Sequence, residues 1–246
     1  MTEKNEKIKQ HVKKHYAELA KGASCCKVAS CCDQSSQTRK IGYSKEELKD
    51  LPISVVKTVA GCGNPTALAD LREGETVLDL GSGGGIDVFL AAKKVGPKGR
   101  VIGVDMTEEM VQLARGNAEE MNARNVDFRL GEIENLPVED GIVDVIISNC
   151  VINLSPDKDR VFAEAFRVLK PGGRMLISDI VTQGELPNEI RENLEMWATC
   201  IAGALDEKEY LQKIRNAGFK KVRIIGKSDF METVSSIKLR ACKPSN

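Results

Sequence analysis

The stretch TVLDLGSGGG, residues 76–85, decides the fold of this chain. Five mostly apolar residues lead directly into glycines, and an apolar helical pattern follows over residues 85–95. Strand, glycine turn and helix in this order are typical of a parallel α/β sheet, which binds its ligands beyond the carboxyl ends of its strands. The glycines allow positive φ and let a ligand touch the backbone. The stretch therefore predicts a ligand site at a strand end.

The same alternation continues on both sides of this unit. Further strands are predicted at 100–105, 126–130, 143–149 and 174–180, and helices at 107–123, 157–169, 187–203 and 206–217. Residues 220–226 and 232–243 are expected to form a terminal antiparallel pair. Alternating elements of these lengths favour a mostly parallel sheet covered on both faces. The predicted fold class is α/β, with a Rossmann-like seven-stranded, mostly parallel sheet, helices on both faces and an N-terminal helical and cysteine-rich extension.

The first 70 residues differ from this pattern. Residues 3–21 have amphipathic helical spacing, and residues 22–42 form a polar segment that contains four cysteines. Ser44 with Glu47 is a capping-box pattern that starts another helix. We expect two regions: residues 1–70, made of helices and a cysteine-rich loop, and residues 71–246, the α/β domain with a helical insertion at about 183–217 that would contact the bound ligand.

Charge and hydropathy exclude several classes of protein. Lys plus Arg and Asp plus Glu are both 36, so the formal net charge is zero. A dedicated binder of nucleic acid or of an anionic membrane normally has a basic excess. No apolar run approaches the length of about 20 residues that a membrane span needs, and the charged N-terminus lacks the apolar stretch of a secretory signal. We expect a cytoplasmic protein that binds neither nucleic acid nor membrane.

The glycine spacing indicates which ligand binds. It is G-x-G-x-G, Ile86 stands where a dinucleotide fingerprint requires glycine, and no Walker lysine follows. A nucleoside therefore fits better than a pyrophosphate. Asp105, at the end of the second strand, can accept hydrogen bonds from both ribose hydroxyls. Gly131, Glu132 and Ile133 follow the third strand, where an adenine would lie.

The motifs VLDLGSGGG and GVDMT, with the strand that leads to Asn149, resemble those of class I S-adenosylmethionine-dependent methyltransferases. The resemblance implies S-adenosyl-L-methionine as cofactor and covers about residues 74–180. It implies that the methionine end, ribose, adenine and methyl-transfer floor are bound by Asp79, Gly81, Ser82, Gly83, Gly85, Asp105, Met106, Glu132, Ile133 and Asn149.

The cysteines and the scarcity of bases point to the methyl acceptor. His11 and His15 are the only histidines and lie outside the sheet motifs. Cys62, Cys150 and Cys200 lie in segments that could meet over one sheet edge. Three thiolates suit a soft, thiophilic centre, and we expect thiols in a reducing compartment. Trivalent arsenic bound to thiolates keeps a lone pair, which can attack a methyl group without loss of a proton.

The motifs GCGNP, NCVINL and WATCIAGAL, with GYSKEEL upstream, resemble those of arsenite methyltransferases. The resemblance implies that Cys62, Cys150 and Cys200 are catalytic and bind As(III). The two N-terminal cysteine pairs depart from the family pattern, and Cys26 or Cys32 is a further candidate ligand. It implies successive methylation of arsenic for detoxification. Its partners would be arsenite or its thiol conjugate, and glutathione or a thioredoxin-type reductant.

Two other functions stay open. A methyltransferase that acts on carbon or oxygen of a small metabolite would share the sheet motifs but would tolerate replacement of the three cysteines. A non-catalytic soft-metal-binding protein would use the vicinal pairs Cys25-Cys26 and Cys31-Cys32, but the complete cofactor motifs disfavour it. A buried cysteine is most often a packing residue, which is the simpler interpretation of Cys150 and Cys200.

Overall fold

The computed structural model describes residues 2–22, 42–68, 70–231 and 233–245. Before the sheet lie helices α1 (Glu3–Ala20), α2 (Lys45–Leu48), α3 (Ile53–Lys57) and α4 (Pro65–Leu68). The alternating part consists of β1 (Thr76–Leu80), α5 (Ile86–Val95), β2 (Arg100–Asp105), α6 (Glu108–Glu120), β3 (Val126–Leu130), β4 (Val143–Asn149), a 3₁₀ turn (Ile152–Leu154), α7 (Lys158–Val168) and β5 (Leu169–Thr182). It is followed by α8 (Asn188–Arg191), α9 (Leu194–Ala198), α10 (Glu207–Asn216), β6 (Lys220–Met231) and β7 (Val234–Cys242).

The strands of the described residues form one seven-stranded sheet in the order β3-β2-β1-β4-β5-β7-β6. The first five strands are parallel, and β7 runs antiparallel to both β5 and β6. The strand order reverses between β1 and β4, and open α/β sheets bind ligands at such a switch point. The predicted fold class is confirmed in its sheet and helices, whereas the cysteine-rich segment lies outside the described residues.

Apolar side chains cover both faces of this sheet. On one face α5 and α6 pack against β1, β2 and β4, and Val77, Val101 and Phe89 are almost completely buried. On the other face α7 and α10 pack, with Phe162 and Tyr210 meeting edge to face at 5.6 Å between ring centroids. The central strands are apolar on both sides because both sides are covered. This double burial fixes the strand ends that border the site.

Helix α1 is the part of the extension that bears on function. Ile8 and Val12 are buried in a third apolar cluster, which also contains Cys150, Cys200 and Trp197. The helix packs against α6 and α9. It therefore lies across the carboxyl edge of the sheet, above the strand ends where the glycine turn sits.

Some local predictions need correction. The helix predicted at 187–203 is wrong as a single helix, since α8 and α9 are separate and the Asn193 side chain caps the second of them. Cys200 therefore lies after α9 and not within a helix. Thr107 occupies the N-cap position of α6, but its side chain makes no capping hydrogen bond. The capping box of Ser44 and Glu47 is confirmed. The division of the chain at residue 70 and the insertion at 183–217 stay predictions.

No helix within the described ranges is long and apolar enough to cross a membrane.

Replacement of Phe162 by alanine should lower the free energy of unfolding by about 3–5 kcal/mol, because it empties a fully buried ring position. Ile53, which is 72% exposed, provides the matched control. Ile53→Ala should change the free energy of unfolding by less than about 1 kcal/mol. Urea denaturation of the two variants measures both values, and equal losses would contradict the described core.

Candidate active site

A cleft opens at the carboxyl ends of β1, β2 and β4. Most of the residues predicted to bind the cofactor line it, namely Asp79, Gly81, Ser82, Gly83, Asp105, Met106, Ile133 and Asn149. Cys150 lines the same cleft. The structure thus brings the glycine turn, the end of β2 and the end of β4 together, as expected for strand ends at one edge. The assignment of each residue to a particular cofactor atom stays a prediction.

Two residues of the predicted cofactor set lie outside the lining. Gly85 has φ of +99° at the start of α5, and a Cβ there would collide with the rings of Phe89 and Phe128. Its glycine identity is explained by backbone geometry and close packing. Glu132 accepts a 2.8 Å hydrogen bond from Nζ of Lys9 and is half exposed. Its described contact is with helix α1.

Asp105 is held in a fixed orientation at the end of β2. One carboxylate oxygen accepts from the N–H of Gly83 at 2.9 Å, and the other accepts from the N–H of Thr107 at the same distance. Burial raises the pKa of Asp105, and these two hydrogen bonds partly oppose that rise. The carboxylate is thereby presented to the cleft as an acceptor for neutral donors such as hydroxyl groups.

Two further buried carboxylates adjoin Asp105. Asp79 and Asp87 are 2% and 4% exposed, and both line the cleft. Burial raises the pKa of Asp79 well above its usual value, and the charges of Asp87 and Asp105 add to the rise. Burial raises the pKa of Asp87 to about 7. A cationic ligand would relieve this repulsion, because an opposite charge nearby favours the ionised carboxylate.

The lining also contains an unsatisfied polar atom. Oγ of Ser82 is buried and has no hydrogen-bond partner among the described residues. Buried polar groups normally have a partner, so this hydroxyl is available to a polar ligand. Together with the carboxylates, it shows that the residues present fit a ligand that is both polar and positively charged, as S-adenosylmethionine is.

Helix α1 forms the roof of the cleft, which the sequence analysis did not assign. Lys9 is 7% exposed, lines the cleft and bonds Glu134 at 3.0 Å in addition to Glu132. Tyr16 also lines the cleft, and its hydroxyl donates to the carbonyl oxygen of Ala198 at 3.4 Å. The amphipathic spacing of residues 3–21 indicated a packed face but gave no signal for what that face covers.

The side chain of Asn149 joins the end of β4 to the turn that contains Cys62. Its oxygen accepts from the N–H groups of Cys62 and Gly63 at 3.0 and 3.2 Å, and its nitrogen donates to the carbonyl of Gly63 at 2.6 Å. The same nitrogen contacts the hydroxyl of Tyr43 at 2.9 Å. A Cβ on Gly61 would occupy the position of the Asn149 amide. Glycine at 61 therefore lets the turn approach closely enough to be clamped.

The clamp places two of the three predicted catalytic cysteines in contact. Cys62 and Cys150 form a disulfide, with their Cα atoms 5.8 Å apart. The expectation that these cysteines are thiols is wrong for this pair in the structure. Their proximity agrees with the predicted grouping, although the sequence gives no local signal for a contact across 88 positions.

Cys200, the third predicted catalytic residue, lies next to this pair. Its thiol donates to the carbonyl oxygen of Cys150 at 2.7 Å and contacts the hydroxyl of Tyr16. Cys150 and Cys200 both have positive φ, at 60° and 65°. This conformation is uncommon for residues with a side chain and often marks a functional site. Burial raises the pKa of the Cys200 thiol, and the charge of Asp179 raises it further.

Asp179, on β5, completes the surroundings of the cysteines and was not predicted. One of its carboxylate oxygens lies within 4.8 Å of the sulfurs of both Cys62 and Cys150. It occurs inside the apolar run LISDI, where a strand position was the only evident interpretation. Lys158, at the start of α7, is a buried cation whose charge acts on Asp179 and Cys200.

The chain contains five other cysteines. Cys25, Cys26, Cys31 and Cys32 lie outside the described residues, so the predicted arsenic contact of Cys26 or Cys32 stays a prediction. Cys242 is a free, partly buried thiol at the end of β7.

Comparison with known proteins identifies relatives of this arrangement. The family model for a methyltransferase domain matches residues 71–218. The arsenite methyltransferases of Halobacterium salinarum and Homo sapiens are 43% and 36% identical to the chain and cover 94% and 89% of it. The chain spans 62% and 60% of the length of those two relatives.

A solved structure resembles the whole fold. The crystal structure of an arsenic (III) S-adenosylmethionine methyltransferase from Chlamydomonas reinhardtii is 37% identical, with a TM-score of 0.74. That alignment covers 84% of this chain and 73% of the other. The likeness therefore includes regions beyond the 71–218 domain.

Replacement of Asp105 by alanine should weaken binding of S-adenosylmethionine by about 1–3 kcal/mol, because charge-assisted hydrogen bonds are lost. Titration calorimetry measures the change. Asp127→Ala is the matched control, since Asp127 pairs with Arg100 and Arg129 away from the cleft. Unchanged affinity in Asp105→Ala would contradict the predicted ribose contact.

Replacement of Asn149 by alanine should free the turn that contains Cys62. We expect slower formation of the Cys62–Cys150 disulfide after full reduction, and a stability loss of about 1–3 kcal/mol from buried groups left unpaired. Thiol titration during reoxidation gives the rate. Reoxidation at the wild-type rate would show that the clamp does not position Cys62.

Proposed function

This chain belongs to the arsenite methyltransferase family of S-adenosylmethionine-dependent methyltransferases, and on that premise we propose that it methylates trivalent arsenic bound by Cys62, Cys150 and Cys200. The products would be mono- and dimethylated arsenicals, formed in succession, and whether a trimethylated product follows is a question for the product assay. The observation that supports the proposal best is the convergence of the three cysteines beside the cofactor cleft. Cys150 is part of the cleft and of the cysteine group, since it lines the cleft and contacts Cys62 and Cys200.

The cleft supplies the cofactor half of the proposed reaction. S-adenosylmethionine, when bound, supplies a methyl group on a positively charged sulfur. Asp79 and Asp105 would hold its amino-acid and ribose parts, with Met106 and Ile133 beside the adenine. The carboxylates of Asp79 and Asp105 offer negative charge to a cationic ligand. Holding the two reactants in a fixed orientation is a large part of what such an enzyme contributes.

The proposed reaction needs no general base, and the positions of the two histidines agree with this. Nε2 of His11 lies 3.3 Å from a carboxylate oxygen of Glu195, and His15 contacts the ring of Tyr16. Neither lines the cleft in the part of the chain that the structure describes. An oxygen or nitrogen acceptor normally needs a base. Thiolate-bound arsenic does not, because its lone pair carries no proton.

The disulfide makes a reductant part of the proposal. Opening the Cys62–Cys150 bond takes two electrons and two protons, which a dithiol protein of the thioredoxin type or two molecules of glutathione can supply. Thiolate attack on the disulfide is the general route for such exchange. We propose that this reduction precedes arsenic binding and that the protein works in the cytoplasm, where such reductants keep thiols reduced.

The decisive experiment incubates the purified chain with arsenite, S-adenosylmethionine and a thiol reductant. Mass spectrometry of the arsenic species should show methylated products. Cys150→Ser and Cys200→Ser should form none, because the arsenic loses a sulfur ligand at the site. Cys242→Ser is the matched control and should retain wild-type turnover. Normal turnover in either of the first two variants would refute the three-thiolate site.

A further inference from the structure

Asp179 is a completely buried carboxylate next to the cysteines, and it has no role in the proposed arsenic binding or cofactor binding. The residue is 0% exposed, and its oxygen and the two sulfurs of Cys62 and Cys150 all lie within 4.8 Å of one another. Its influence extends to the third cysteine, since its charge raises the pKa of Cys200. An atom bound by the three sulfurs would therefore lie in the field of this carboxylate, together with that of the Lys158 ammonium, whose charge also acts on Cys200.

Burial raises the pKa of Asp179 to about 6, and its hydrogen-bond donors and a nearby cation oppose a larger rise. Asp179 accepts hydrogen bonds from its neighbour's N–H, on Ile180, at 2.9 Å and from the hydroxyl of Tyr210 at 3.0 Å. Tyr210 is itself completely buried. The buried ammonium of Lys158 adds a favourable charge. An isolated buried carboxylate is strongly disfavoured, whereas one with donors and a counter-ion can persist.

The proposed reaction moves positive charge toward this position. Arsenic bound to three thiolates is neutral, and the methyl donor carries one positive charge on its sulfur. The arsenic lone pair forms the new As–C bond, and the C–S bond breaks with its electron pair remaining on the donor sulfur. The donor becomes a neutral thioether, and arsenic is formally oxidised from the trivalent to the pentavalent state with the positive charge on it. No proton moves and no other oxidant is needed.

We propose that the carboxylate of Asp179 stabilises the positive charge that develops on arsenic during methyl transfer. The inference rests on the proposed function. A fixed charge aimed at the place where charge develops is often the largest contribution of an enzyme to its rate. It acts strongly here because Asp179 is completely buried, and burial lowers the effective dielectric constant around a charge.

A purely structural role for Asp179 makes different predictions. The Asp179–Tyr210 hydrogen bond also ties β5 to α10, so loss of the side chain could disturb the cysteines themselves. Asp179→Asn separates the two roles, because asparagine has the same shape and can still accept from Ile180 and donate to the Tyr210 hydroxyl. Only the charge is removed. A structural lesion would weaken arsenite binding, whereas loss of charge would slow the methylation step.

The first test compares binding with turnover in Asp179→Asn. Single-turnover methylation should fall on the order of 10- to 100-fold. Arsenite affinity, followed through the fluorescence of the single tryptophan, Trp197, should change by less than about threefold, since the thiolate–arsenic complex is neutral. Trp197 is suitable because it lies in the same buried cluster as Cys150 and Cys200. The exposed Asp229→Asn is the matched control and should match wild type in both measurements.

The second test reads the charge without turnover. Cadmium ion, a thiophilic dication, is titrated into the reduced protein and followed by its thiolate absorption band. The two sulfurs of Cys62 and Cys150 and a carboxylate oxygen of Asp179 lie within 4.8 Å of one another and could bind the dication together. Asp179→Asn replaces the carboxylate oxygen by a neutral amide and should weaken cadmium binding about tenfold or more, while arsenite, which needs only sulfur ligands, binds near the wild-type affinity. Equal weakening of both ligands would show a structural lesion and overturn the proposal.

The outcomes for the two proposals are distinct. An active wild type together with an equally active Asp179→Asn overturns the role of Asp179 alone. A wild type that binds S-adenosylmethionine and arsenite but forms no methylated arsenic overturns the proposed function, and the role of Asp179 in methyl transfer falls with it. Tyr210→Phe keeps the charge and removes one donor, so its loss of turnover should be smaller than that of Asp179→Asn.

Discussion

The side-chain amide of Asn149 is the contact on which the geometry of the site depends. It ends β4, so its position is set by a central strand that is buried on both faces. Its oxygen accepts from the N–H groups of Cys62 and Gly63, and its nitrogen donates to the carbonyl of Gly63. These residues form a turn with no regular secondary structure of its own. Because Cys150 is the next residue after Asn149, one side chain ties the turn that contains Cys62 to the strand end that precedes Cys150. The sheet thus transfers its rigidity to a loop by means of hydrogen bonds that few other side chains could make.

Charge is distributed around this contact in a consistent way. Asp79, Asp87 and Asp105 line the cleft on the cofactor side, and Asp179 lies below the cysteines on the other. Burial raises the pKa of all four, and for Asp179 to about 6. Such carboxylates would destabilise an empty apolar core, but they are compatible with a site through which positive charge passes. The neutral overall charge of the chain hides this local excess.

The sequence predicted the parts of the fold that depend on residues close to one another along the chain. The strand over 76–80, the glycine turn and the alternating helices were predicted from the spacing of apolar residues and from the positions of glycines, and the structure contains them. The helix at 187–203 was wrong because apolar spacing continues through Asn193, where a side-chain cap starts a new helix. The meeting of Cys62, Cys150 and Cys200 was expected from their placement near one sheet edge and from the family resemblance, since no local pattern encodes a contact between distant segments. Lys9 and Asp179 were not predicted. A charged residue on a packed face looks like an ordinary surface or strand position in the sequence until its spatial neighbours are known.

Helix α1 has a consequence for how the protein matures. Tyr16 reaches a carbonyl 182 positions further along the chain, and Lys9 reaches a carboxylate 123 positions away. Contacts of such long sequence separation form late, because the intervening chain must be ordered before they become favourable. The sheet has its own core without them. Docking of α1 therefore follows formation of the sheet, and a chain with a complete sheet but an undocked α1 would show native-like secondary structure while it lacks the roof of the cleft.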